Sequence, residues 1–93
     1  MVERQRYSKM DLKSQFEEAS VKSKSLPEQS NENLLKLYSL FKQATEGNIN
    51  IEKPSNMFDF KGIAKFNAWD ELQGVSKEEA MQKYIDLVKQ LSA

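Results

Sequence analysis

Apolar residues recur at helical spacing in four stretches, and breakers separate the stretches. The first runs from about Met10 to about Lys24, with Leu12, Phe16, Ala19 and Ser23 on one face and Ser20 beside them. Ser8 followed by Asp11 predicts a capping box at its start, and Pro27 stops the pattern in polar surroundings. The second runs from about Asn31 to about Glu46, where Leu34, Leu37, Tyr38, Phe41, Ala44 and Thr45 make an apolar stripe. Ser30 or Asn31 can cap it, and Gly47 is placed to terminate it in a left-handed conformation. The third spans about Lys61 to about Gln73, with Ile63, Phe66, Ala68, Trp69 and Leu72 apolar and Gly74 closing it. The fourth starts at a Ser76–Glu79 capping box and carries Ala80, Met81, Tyr84, Ile85, Leu87, Val88 and Leu91 to the C-terminus.

Between the second and third stretches, residues 47–60 hold Gly, Asn, Pro and Ser and show no helical period. They predict a long ordered loop, a kind of connection that is often functional. Ile49, Ile51, Met57, Phe58 and Phe60 imply that this loop packs down onto the domain. No segment is a convincing strand, so four amphipathic helices in one small domain predict an all-α bundle.

Composition narrows the function. The chain has 93 residues, 39% hydrophobic and 30% charged, enough for one core and not two. It has no Cys and no His, which removes disulfides, thiolate zinc sites, thiol nucleophiles and the commonest general base. Fourteen basic residues balance 14 acidic ones, so the charge excess of a general nucleic-acid binder is missing. No run approaches the roughly 18 apolar residues of a membrane span, and the polar N-terminus has no apolar core of a secretory signal. The expected compartment is therefore the cytoplasm, without stable membrane insertion. Residues 1–9 read as a flexible N-terminal extension and residues 10–93 as the domain.

No GxSxG, SxxK or P-loop pattern appears. Glu17–Glu18 and Glu78–Glu79 are adjacent and cannot face each other on a helix, so they make poor acid–base pairs. The chain reads as a binder, not an enzyme, with no metal site and no cofactor. Tyr38 and Lys42 are one helical turn apart, with Phe41 beside them. Lys61 and Lys65 are likewise one turn apart, and no acidic residue lies between Phe60 and Trp69. Two stacked ammonium groups repel unless an anion joins them. Lysines, a tyrosine ring and neighbouring apolar residues suit a phosphorylated nucleotide with an attached apolar chain. The plainer alternative is that the lysines are solvated and the tyrosines pack in the core.

The order of these residues favours the first reading. Tyr38 to Asn50 (YSLFKQATEGNIN), a loop with Pro54, Phe58 to Met81 (FDFKGIAKFNAWDELQGVSKEEAM) and Tyr84 closely resemble the acyl-CoA-binding protein family, over about Phe16 to Leu91. The resemblance implies an up-down-down-up four-helix bundle and, as ligand, a long-chain fatty acyl thioester of coenzyme A. It implies Tyr38 as the adenine-stacking ring, and Lys42, Lys61 and Lys65 as phosphate contacts. Tyr84 would close over the nucleotide, with Lys24 a lesser member of the site. Leu34 and Leu35, with Ala19 or Ser20 opposite, would line the acyl groove, and Trp69 would sit in the core. Phe41 stands where many members have Tyr, and Phe66 where the family's first Trp is usual.

The function this implies is a monomeric intracellular carrier and pool buffer for medium- to long-chain acyl-CoA. The alternative is a helical protein-interaction module of the same fold without a lipid ligand, which would have no need for Lys42, Lys61 and Lys65 to converge.

Overall fold

A computed structural model of the chain describes residues 11–92, and all four expected helices are present. The N-terminal extension, Ser8 and Met10 lie outside these residues. Helix α1 is Leu12–Ser23. Asp11 is itself the N-cap: its extended backbone turns the carboxylate over the first turn, where it accepts from the Ser14 amide at 2.8 Å. The helix ends in tightened turns, with the amides of Lys24, Ser25 and Leu26 donating to carbonyls three residues back, just before Pro27.

Helix α2 is Asn31–Glu46. Ser30 caps it, its hydroxyl accepting from the Asn33 amide at 3.1 Å, and Gly47 ends it at φ 83°. A side chain at Gly47 would be strained in that conformation, so glycine is the residue this terminus requires. Helix α3 is Phe60–Asp70, capped by Asp59 through the Gly62 amide at 3.0 Å. It is shorter than expected at its C-terminal end. The amides of Leu72, Gln73 and Val75 bond three residues back instead of four, and Gly74 at φ 95° completes the turn. Apolar spacing cannot tell such tight turns from a last α-helical turn. Helix α4 is Lys77–Leu91. Of the expected capping box only the Ser76 half forms, at 3.0 Å to the Glu79 amide; the Glu79 carboxylate lies instead 3.6 Å from Lys83.

Helices α2 and α4 form the central pair, with α1 laid on α4 and α3 laid on α2. The arrangement is the up-down-down-up bundle. The parallel neighbours α2 and α3 need a long crossover, and residues 47–59 supply it. The core collects Phe16 and Ala19 from α1, Ala44 from α2, and Ala80, Tyr84, Ile85 and Val88 from α4. Phe16, Phe41 and Tyr84 form an aromatic trio with centroids 5.1–5.9 Å apart, which ties α1, α2 and α4 together.

A polar knot closes one end of the bundle. Gln43 is fully buried, and its amide nitrogen donates to Asn48 Oδ1 at 3.0 Å and to the Val75 carbonyl at 2.8 Å. Asn48 Oδ1 also accepts from the Gly74 amide at 2.8 Å. Trp69, fully buried, donates its indole N–H to the Gly47 carbonyl at 2.9 Å.

The crossover loop does not pack down as its sequence implies. Ile49 is half-buried, but Ile51, Met57, Phe58 and Phe60 are exposed, the last three by more than 70%. The helix faces already fill the core, and the loop is held by polar hooks: the Gln43–Asn48 pair, Asn50 on Glu46, and Asn56 accepting from the Phe58 amide. Fixing its backbone requires no apolar anchor.

Candidate functional site

The apolar stripe of α2 is wider than its contact with α4, and the surplus faces α3. There the two helices enclose a groove of about 340 Å³. Leu34, Leu35 and Tyr38 supply the α2 wall; Phe60, Lys61, Ala64 and Lys65 supply the α3 wall, with Asn31 at one end. The local reason is spacing: residues 60, 61, 64 and 65 occupy one stripe of a helix, opposite 34, 35 and 38 on the other. Leu34 and Phe60 remain exposed, so the groove has an apolar lip open to solvent.

Lys65 extends over the face of Tyr38, with Nζ 5.2 Å from the ring centroid. Such cation–π contacts are worth about 0.5–1 kcal/mol where exposed. Neither Lys61 nor Lys65 has a carboxylate partner among the described residues, whose ion pairs are Lys36–Glu32, Lys42–Glu46 and Lys83–Glu79. The groove therefore offers an apolar floor, an aromatic face and two uncompensated ammonium groups.

The remaining expected site residues are distributed as follows. Lys42 lies one turn beyond Tyr38, outside the groove lining; its ammonium is bonded to Glu46 and sits 5.2 Å from the Trp69 ring. The Glu46 bond holds Lys42 above the ordinary lysine value, and Lys42, then Asn50, hold Glu46 below the ordinary carboxylate value. Phe41 is partly exposed, and Tyr84 is 4% exposed behind it in the aromatic trio. Lys24, the C-cap of α1, is exposed and is not a wall of the groove.

The structure does not bring Ala19 and Ser20 to Leu34 and Leu35. Ala19 is buried on the α4 side of α1, at a depression shared with Ile85 and Val88, and Ser20 donates to the Glu17 carbonyl at 2.8 Å. A further depression between α2 and α3 is lined by Glu32, Lys36 and Glu71, and its one lysine is already paired with Glu32. Sequence reasoning missed Asn31, Phe60 and Ala64 as groove residues. The signal was present in the four-residue spacing of Phe60 with Ala64 and Lys61 with Lys65. Among the described residues, no cluster of acidic side chains could hold a metal ion, and no helix is long and apolar enough to cross a membrane.

An all-α bundle with an open, lysine-rimmed apolar groove defines a protein built to hold an amphiphilic anion. Comparison with known proteins makes this specific. The family model described as acyl-CoA-binding protein matches residues 13–88. The acyl-CoA-binding protein of Ricinus communis is 52% identical over 83 residues, covering 88% of this chain and 91% of that one. Acyl-CoA-binding protein homolog 1 of Caenorhabditis elegans is 48% identical over 79 residues, 84% of this chain and 91% of that one. The crystal structure of Oryza sativa acyl-CoA-binding protein 2 superposes with a TM-score of 0.83 at 48% identity, covering 87% of this chain and 90% of that one. That of Moniliophthora perniciosa gives 0.78 at 38% identity, covering 85% and 78%. The chain belongs to the acyl-CoA-binding protein family.

Proposed function

We propose that this protein binds long-chain fatty acyl-CoA one-to-one and serves as an intracellular carrier and buffer of the acyl-CoA pool. The observation that carries the reading is the α2–α3 groove, which sets Lys61 and Lys65, free of carboxylates, beside the Tyr38 ring and the Leu34–Leu35 floor. Family membership favours the same ligand, and no observation favours the ligand-free interaction module.

In this reading Lys65 leaves the face of Tyr38 for a phosphate, and the adenine takes the vacated face. Lys61 and Lys42 neutralise further phosphate charge. Leu34, Leu35 and Ala64 cover the acyl chain, with Phe60 at the lip. Phe41 and Tyr84 back the nucleotide end, and Lys24 is an outer charge. Ala19 and Ser20 reach a long chain only where it passes beyond the groove towards α1. A groove of about 340 Å³ is at the small end of ligand pockets, which run from roughly 300 to 1,000 Å³. The head group therefore stays at the surface. The role is binding without catalysis, by a cytoplasmic monomer that engages neither nucleic acid nor the membrane interior.

About 15 methylenes at roughly 0.8 kcal/mol each offer about 12 kcal/mol gross. Association and ordering cost several kcal/mol. Charge-assisted hydrogen bonds contribute about 1.5–3 kcal/mol each. Nanomolar affinity needs about 12 kcal/mol net, so both halves of the ligand must engage. The test is calorimetric titration with palmitoyl-CoA, coenzyme A and palmitate below the micelle concentration. Tight one-to-one binding of the thioester, with each fragment far weaker, is expected. Equal affinity for palmitate and palmitoyl-CoA would refute the two-part site, and no binding of the thioester would refute the function.

A further inference from the structure

Glu46 stands where helix physics disfavours it. It is the last residue of α2, at the negative end of the helix dipole, and no basic residue lies in that last turn. Its ion pair also runs in the weaker direction. In Lys36–Glu32 and Lys83–Glu79 the acid precedes the base, the better order on a helix, whereas Glu46 follows Lys42. Yet the carboxylate is held on both oxygens: Oε2 takes the Lys42 ammonium, and Oε1 accepts from Asn50 Nδ2 at 3.3 Å. Asn50 belongs to the crossover loop, so the loop helps to hold the acid against the lysine.

The same lysine lies one helical turn from Tyr38 on α2. Among the described residues Lys61 and Lys65 have no carboxylate partner, whereas Lys42 carries an internal counter-ion. We propose that Glu46 is an affinity-setting residue: its carboxylate occupies the anion position of Lys42 in the empty protein, and a ligand phosphate must displace it. This rests on the acyl-CoA reading above and adds to it a competitor built into the end of α2. The consequence is weaker retention of the ligand than the lysine set alone would give, which suits a carrier that must also release.

The experiment is a double-mutant cycle read by calorimetry with palmitoyl-CoA, using wild type, Glu46→Gln, Lys42→Met and the double variant. Thermal melts establish that all four are folded, as expected for changes at exposed or half-exposed positions. Glu46→Gln is expected to lower Kd about two- to fivefold, the range measured for breaking an exposed ion pair. In the Lys42→Met background the same change is expected to leave Kd unaltered. An unchanged or raised Kd for Glu46→Gln would overturn the proposal. So would an equal gain without Lys42, because that would mean general repulsion of the ligand and not competition for one lysine. If no variant binds palmitoyl-CoA, the functional reading itself falls, and the competitor role with it.

Discussion

Lys65 is the residue on which structure and proposed function meet most directly. Its ammonium lies over the Tyr38 face and has no acidic partner among the described residues. Lys65→Ala is therefore expected to weaken palmitoyl-CoA binding by about 1–3 kcal/mol, while thermal stability falls by less than about 1 kcal/mol. Calorimetry and a melting curve on one preparation separate the two; undiminished affinity would remove Lys65 from the site. Other residues answer differently because their neighbours differ. Tyr84 packs between Phe16 and Phe41, so truncating it would confuse a binding loss with a core loss. The family resemblance implied one site for Tyr38, Lys61, Lys65, Leu34 and Leu35, and these five line one groove; helical spacing fixes only which of them share a face within each helix. It did not register Glu46, although the four-residue step from Lys42 is as plain as that from Lys61 to Lys65. Opposite charges on an exposed helix ordinarily signify nothing beyond a solvated pair.

At the scale of the element, short-range chemistry was the legible part. Ser30, Ser76, Gly47 and Gly74 mark boundaries because each satisfies or frees a backbone group within a few residues. Ser76→Ala is accordingly expected to cost about 1 kcal/mol in denaturant unfolding, since one hydroxyl bond caps α4 and Glu79 gives no second one. No change in the unfolding midpoint would mean that water caps the helix as well as the hydroxyl does. Asp11 caps α1 by charge, and its bond to the Ser14 amide lowers its pKa below the ordinary 3.8. A depressed carboxylate stabilises above its unfolded pKa and loses that contribution as pH falls through the folded one. Acid fraying of α1 below about pH 4 should thus be blunted in Asp11→Asn, whose cap does not titrate; circular dichroism across that range reads it. The loop was not legible. Ile51, Met57, Phe58 and Phe60 look like anchors, but whether an apolar residue finds a partner depends on what the distant helices have already buried.

The whole molecule is two unequal layers around one pair of helices. α1 is keyed into the centre by Phe16, which meets rings from both α2 and α4. α3 packs on α2 alone and is tied down at its C-terminal end by Trp69. Its N-terminal end, from Phe60 to Lys65, is the wall of the groove and has Phe60 exposed. Sparse packing lowers the free energy of local opening, so amides in the first half of α3 should exchange early in the empty protein. A ligand lying between Tyr38 and Lys65 bridges α2 to that half. At about 100 times Kd it would stabilise the native state by about 2.7 kcal/mol and raise the melting temperature by roughly 10–20 °C in a domain of this size. Hydrogen exchange with and without palmitoyl-CoA should then show the largest slowing in Lys61–Ala68, above that in α1. Slowing concentrated in α1 would instead move the site to the depression beside Ala19 and Ile85, and the α2–α3 groove would lose its claim. The position of the protection, more than the size of the thermal shift, discriminates, because any tight ligand raises the melting temperature but only one held between these two helices quiets this wall.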